Sequence, residues 1–113
     1  MIIPSIDIQD GRAVQLVGGR DLRIDGGDPF LWAERFAVAG EIAVVDLDAA
    51  RGIGSNAPLI EELCRVARCR VGGGIRDVAT AARWLDAGAT RIVLGTAATP
   101  ELLRQLPRER VVA

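Results

Sequence analysis

The run Val71-Gly72-Gly73-Gly74-Ile75-Arg76-Asp77 carries the clearest chemical signal in this 113-residue sequence. It joins a β-prone stretch, Cys69-Arg70-Val71, to an amphipathic helical run with Asp77 at its N-cap. Three glycines let the backbone take φ > 0 and leave no Cβ to hold off a ligand. Amides at such a strand-to-helix turn can face an anion, where the helix dipole also favours negative charge. The expectation is one wall of a phosphate site, with a plain flexible turn as the alternative. A second small turn, Leu94-Gly95-Thr96-Ala97-Ala98, ends the next strand-like run, Arg91 to Leu94. Two such turns side by side can hold one phosphate between them, so Gly73, Gly74, Gly95 and Thr96 are the candidate binding residues.

Carboxylates supply the other half of the chemistry. Asp7 ends an apolar run, and Asp46 and Asp48 close the next one. An acidic residue there is costly to bury without a purpose. Asp7 is the candidate catalytic group, against a structural role capping the following turn. Asp46 is a candidate substrate contact, against hydrogen bonding to neighbouring loops. Arg76 could pair with Asp46, a substrate oxygen or a helix start. The chain has no histidine, and all 14 basic residues are arginine. That removes the usual general base, the Ser-His and Cys-His pairs and lysine Schiff bases. What remains, without a metal-ligand cluster, is general acid–base proton transfer on a phosphorylated small molecule. An isomerisation of that kind needs an acid and a base with separated pKa values, and one carboxylate does half of it.

Net charge is −1, half the residues are hydrophobic and about a quarter are charged. A folded domain follows, and a nucleic-acid partner does not. No apolar run reaches the roughly 18 residues of a membrane span. The start, Met1-Ile2-Ile3-Pro4, has no basic region before a long apolar stretch, so a cytoplasmic protein without a signal peptide is expected. Cys64 and Cys69 fit neither a zinc pattern nor a CxxC motif and should be reduced and largely buried.

Alternating elements must position these groups. Strands are expected at Ile2–Ile6, Ile42–Leu47, Cys69–Val71 and Arg91–Leu94, with a short extended run at Ala13–Val17 and a long lid-like loop at Gly18–Asp28. Helices follow Asp28-Pro29, Pro58, Asp77 and Thr99-Pro100, the prolines sitting at first helical positions. The second helix carries Leu59, Ile60, Leu63 and Val66 on one side, and Arg110 to Ala113 begins a fifth strand. Four βα units plus a stub imply parallel strands with outer helices, a (βα)4 half of a TIM barrel forming one domain over residues 1–113. A flat doubly wound sheet is the alternative. The half would leave two strand edges and one sheet face uncovered, so it should associate with a second copy or a missing C-terminal half.

The stretches Ile2-Ile3-Pro4-Ser5-Ile6-Asp7-Ile8, Asp10-Gly11-Arg12, Val44-Val45-Asp46-Leu47-Asp48, Gly72-Gly73-Gly74-Ile75-Arg76 and Leu94-Gly95-Thr96-Ala97-Ala98 together resemble the histidine-biosynthesis (βα)8-barrel family. The Ser-Ile-Asp start and the Leu-Gly-Thr-Ala-Ala turn are more similar to its isomerase branch, acting on an aminoimidazole carboxamide ribotide. Gly26-Gly27-Asp28-Pro29 has a flavour of the sister cyclase branch, imidazole glycerol phosphate synthase. A third alternative is a non-catalytic phosphate-binding half. The resemblance implies an Amadori aldose–ketose rearrangement of a bisphosphorylated ribotide without cofactor or metal. It implies Asp7 as the base, an aspartate on a fifth strand as the acid, and a first phosphate at Gly73, Gly74, Gly95 and Thr96. A two-fold homodimer would bring a second Asp7 and a second glycine cradle to the places left empty.

Overall fold

The computed structural model describes residues 3–17 and 22–113. Among the described residues, seven strands form one sheet: β1 (Ser5–Gln9), β2 (Arg12–Val17), β3 (Leu22–Gly27), β4 (Glu41–Asp46), β5 (Arg68–Gly72), β6 (Arg91–Val93) and β7 (Val111–Val112). Their order is β3-β2-β1-β4-β5-β6-β7. From β1 to β7 every pairing is parallel. The strands advance in one direction with no reversal of order. A doubly wound sheet needs such a reversal, so that alternative is excluded.

Five α-helices among the described residues connect the strands: α1 (Pro29–Phe36), α2 (Leu47–Arg51), α3 (Ala57–Val66), α4 (Val78–Asp86) and α5 (Pro100–Arg104). Right-handed crossovers that always advance the same way lay their helices on one face of the sheet. Burial follows that rule. Ile8, Ile42, Val44, Cys69, Val71 and Ile92 are fully buried together with Ile60 and Leu63 of α3. The intervening residues, Asp7, Ala43, Val45, Arg70 and Val93, are only half-buried. One face is covered and the other is not, as expected for part of a barrel.

The helix starts are set by side chains. Asp28 Oδ1 accepts from Phe30 N–H at 2.9 Å and Pro29 takes the first turn of α1. Asp77 Oδ1 accepts from Thr80 N–H at 2.8 Å, and Thr99 Oγ1 accepts from Leu102 N–H at 3.2 Å. Each bond satisfies a donor that the first turn leaves without an intrahelical partner. Gly40, at φ 97°, closes the short 3₁₀ turn after α1.

Several expectations need correcting. The first strand runs from Ser5 to Gln9 rather than over Ile2–Ile6, and Ile2 lies outside the described residues. Its extension comes from the hairpin with β2, which turns at Asp10 (φ 51°) and Gly11 (φ 72°). Two successive left-handed residues, Asp-Gly, suit a tight hairpin between twisted strands. That hairpin takes part of the β1 edge expected to stand open. The loop expected at Gly18–Asp28 contains β3, antiparallel to β2, while residues 18–21 lie outside the described residues. Trp32 of α1 holds its end, donating from Nε1 to the Gly26 carbonyl at 2.7 Å. Val66, expected on the packed side of its helix, is 66% exposed in the last turn of α3. Cys69 is buried, but Cys64 only partly so, and both are free. No helix among the described residues is long and apolar enough to cross a membrane.

Candidate active site

The parallel register lines up one row of residues at the uncovered face. Asp7 pairs with Val45, Val45 with Gly72, Gly72 with Val93, and Val93 with Val112. Register partners share a sheet face, so Asp7 stands on the same side as Gly72 and Val93. Two strand spacings separate β1 from β5, about 10 Å. Asp7 is thus two strands away from the strand that ends in the glycine turn, on the same face of the sheet.

Asp7 sits among half-buried neighbours, and its pKa is raised above the ordinary 3.8. Burial raises it and the Ser5 hydroxyl pulls the other way. Desolvation disfavours the charged carboxylate. A carboxylate so perturbed, on the uncovered face of the sheet, is the kind of group that can accept and return a proton.

Gly73, Gly74, Arg76, Gly95 and Thr96 come together around one hollow of about 420 Å³, open to solvent. The two glycine turns expected to cooperate do line the same space. Gly73 and Gly74 have φ of 102° and 73°. A Cβ on Gly73 would lie 2.9 Å from Asp46 N, and one on Gly74 would lie 2.7 Å from the Ala49 carbonyl oxygen. These glycines are therefore needed twice, for the left-handed backbone and for seating the turn on the β4–α2 corner. Among the described residues, the amides of Gly73 and Gly74 donate no hydrogen bond. Gly95, at φ 58°, has nothing within 4 Å of its would-be Cβ. Its freedom serves the turn, and its missing side chain leaves the hollow open. Arg76 donates from Nη2 to the Ala50 carbonyl at 3.0 Å, so here it ties the turn to α2 rather than pairing with Asp46.

Asp46 touches Gly73 through its backbone but does not line the hollow. It pairs with Ile8, on the covered face, and is 2% exposed. Its carboxylate accepts from Ala49 N–H at 3.0 Å, from Asn56 N–H at 2.7 Å and from Asn56 Nδ2 at 2.8 Å. Asp48 is also buried, and its Oδ2 accepts from Asn56 Nδ2 at 2.9 Å and from Asp10 N–H at 2.8 Å. Asn56 was not among the candidates from the sequence. An Asn directly before a helical run suggests a cap, yet its side chain caps nothing and is spent on these two aspartates.

The comparison with known sequences decides the family. The sequence profile described as histidine biosynthesis protein matches residues 1–111. The chain belongs to the histidine biosynthesis protein family. A phosphoribosyl-bearing imidazole-4-carboxamide isomerase of Methanoregula boonei is 47% identical over 116 residues, covering 96% of this chain and 49% of the relative. Enzymes of the same name from Methanosphaerula palustris and Deinococcus radiodurans are 44% and 43% identical over the same shares. The chain spans about half the length of the curated relatives it matches. In this member of the family, then, the described strands bring one carboxylate and two glycine turns to a single open face.

Proposed function

We propose that this chain carries one half of an aldose–ketose isomerase site that acts on a bisphosphorylated aminoimidazole carboxamide ribotide. The observation that carries the reading is the row Asp7–Val45–Gly72–Val93, which sets a carboxylate with a raised pKa across from a turn with undirected glycine amides. The names of the relatives support the substrate, since they specify phosphoribosyl groups and an imidazole carboxamide, and they favour an isomerase over the cyclase.

In this reading the amides of Gly73 and Gly74, with Gly95 and Thr96, hold one phosphate. An acid opens the ribose ring, giving a protonated imine at C1. Asp7 takes the proton from C2, and the electron pair left there forms the enaminol. Reprotonation at C1 by the Asp7 carboxyl, with the C2 hydroxyl proton passing to the conjugate base of the ring-opening acid, gives the aminoketose. The proton inventory is unchanged, so no external redox partner is needed. The acid and the second phosphate cradle come from a second half-barrel on the uncovered face, either a C-terminal half or a second copy of this chain.

The test is turnover of the ribotide by the purified chain, with Asp7→Asn as control, beside titration with inorganic phosphate. Turnover abolished by Asp7→Asn with phosphate binding intact is the expected result. Turnover indifferent to Asp7 would refute the assignment. Ribotide binding without turnover would place the acid on a different polypeptide segment.

A further inference from the structure

Three buried polar residues lie between the Asp7 hairpin and the glycine turn, and the reaction as written uses none of them. Asp46, Asp48 and Asn56 are 2%, 6% and 7% exposed. Asn56 Nδ2 donates to Asp46 Oδ1 at 2.8 Å and to Asp48 Oδ2 at 2.9 Å, while Asn56 Oδ1 accepts from Gly11 N–H at 2.8 Å. Asp48 Oδ2 also accepts from Asp10 N–H. The Asp10–Gly11 turn, three residues beyond Asp7, is thus tied at two consecutive amides. The far side of the same corner carries the glycine turn. Gly73 packs on the Asp46 backbone, Gly74 on Ala49, and the Arg76 guanidinium reaches Ala50.

We propose that Asn56 is a positioning residue, whose side-chain amide fixes the turn after the Asp7 strand to the corner on which the phosphate turn is seated. This rests on the functional reading above and deepens it. An amide is suited to the position because it offers two donors to two carboxylates and one acceptor to a backbone amide. Asp or Leu would lack the donors, and Ser could not span all three partners. A fully satisfied buried network of this kind holds one arrangement, because each alternative leaves a polar group without a partner. The consequence is a fixed distance between the proton-transfer carboxylate and the phosphate, on which alignment of the substrate C2 depends.

The experiment follows the backbone amide resonances and hydrogen exchange of Asp10, Gly11, Gly73 and Gly74 in the 113-residue chain, and titrates inorganic phosphate. Asn56→Ala should speed exchange at Asp10 and Gly11. It should also shift the Gly73 and Gly74 resonances and weaken phosphate binding by about tenfold, within the usual range of coupling between sites. Ser55→Ala, which alters the same helix start without touching the network, should leave the glycine resonances in place. Should Asn56→Ala fail to fold, Asp48→Ala, which leaves the Asp10 N–H and one Asn56 amide hydrogen without their acceptor, carries the same readouts. Glycine resonances unmoved while the hairpin amides lose protection would overturn the proposal. Absence of phosphate binding by the unmodified chain would refute the functional reading instead, and the coupling would still be read from the resonances.

Discussion

Asp46 pairs with Ile8, one residue beyond the pairing of Asp7 with Val45, and so the two aspartates at the ends of neighbouring strands face opposite sides of the sheet. One residue of register separates a carboxylate on the open surface from one sealed beneath the helices. In a strand, successive side chains alternate faces. The Asp7 side is shared with Gly72 and Val93. The Asp46 side is shared with Val44 and Ile42, both fully buried. The two groups therefore do different work. Asp7 can meet a ligand, while Asp46 organises the corner that supports one.

Asp7→Asn should separate function from stability. General acid–base groups contribute about 10²–10⁴-fold to a rate, so turnover in any active assembly of this chain should fall by that order. Stability should move the other way. The Asp7 pKa is raised by burial, against a smaller opposing effect of Ser5. A raised carboxyl value means the folded chain keeps its proton longer than the unfolded chain. The Asp7 contribution is then fullest below the ordinary value of 3.8 and is lost as pH rises through the folded value. Asp7→Asn should unfold at higher urea than the parent at pH 7 and show no such gain at pH 3. An equal or lower midpoint at pH 7 would remove the desolvation argument.

Gly73→Ala and Gly95→Ala should differ although both residues have φ > 0. A left-handed backbone costs a residue with a Cβ roughly 1–2 kcal/mol. At Gly95 that is the whole penalty, since the added carbon meets nothing within 4 Å. At Gly73 the Cβ would also press on the Asp46 backbone, which cannot give way without disturbing the Asn56 network. Urea unfolding should show Gly73→Ala as the more destabilising, by a further ~2 kcal/mol or more, in the range of overpacked sites. Gly95→Ala should keep the fold and weaken phosphate binding instead, because its methyl enters the hollow.

The local signals for the fold were strong where a single residue decides the geometry. Asp28-Pro29, Asp77 and Thr99-Pro100 mark helix starts because the cap and the fixed proline φ act within one turn, and α1, α4 and α5 begin at those residues. The five-residue α2 was not visible, since Leu47–Arg51 is too short to show a helical period and follows the strand directly. The strand β3 was hidden for a related reason. Its sequence, Leu-Arg-Ile-Asp-Gly-Gly, reads as a loop until β2 lies beside it. Site legibility divided the same way. Gly73, Gly74, Gly95 and Thr96 could be grouped because two turns end adjacent strands. The role of Asn56 depends on Gly11, 45 residues away, and no local pattern carries that contact.

The two cysteines should react in order. Cys69 is fully buried, and its thiol pKa is pushed up by its contact with the Cys64 sulfur and by burial. Cys64 is partly exposed, and the Cys69 contact lowers its pKa. The thiolate is the reactive form. Iodoacetamide at pH 8 should modify Cys64 in the folded chain and Cys69 only at the rate of unfolding, as followed by peptide mass spectrometry. Equal labelling of both in the absence of denaturant would show that β5 opens locally.

Glu41 should set the acid limit of the fold. Its carboxylate accepts from Arg70 Nε at 2.7 Å, from Arg91 Nη1 at 2.8 Å and from the Thr90 hydroxyl, linking β4, β5 and β6 at the end of the sheet away from the glycine turns. Burial alone would raise its pKa; the bonds from Thr90 and Arg70 and the charges of Arg70 and Arg91 outweigh it, and the net shift is downward from 4.5. A lowered carboxyl value contributes stability that is present above the ordinary 4.5 and is lost as pH falls through the folded value. The Glu41 side chain is 9% exposed and its partners 22% and 40%, so the cluster lies between surface and buried pairs. Glu41→Gln should therefore cost about 1–3 kcal/mol at pH 7, between the values for exposed and buried ion pairs. The difference should shrink as pH falls below 4.5, because the parent then loses what the variant never had. A loss that stays constant from pH 7 to pH 3 would mean that packing of the side chain, and not its charge, holds β4, β5 and β6 together.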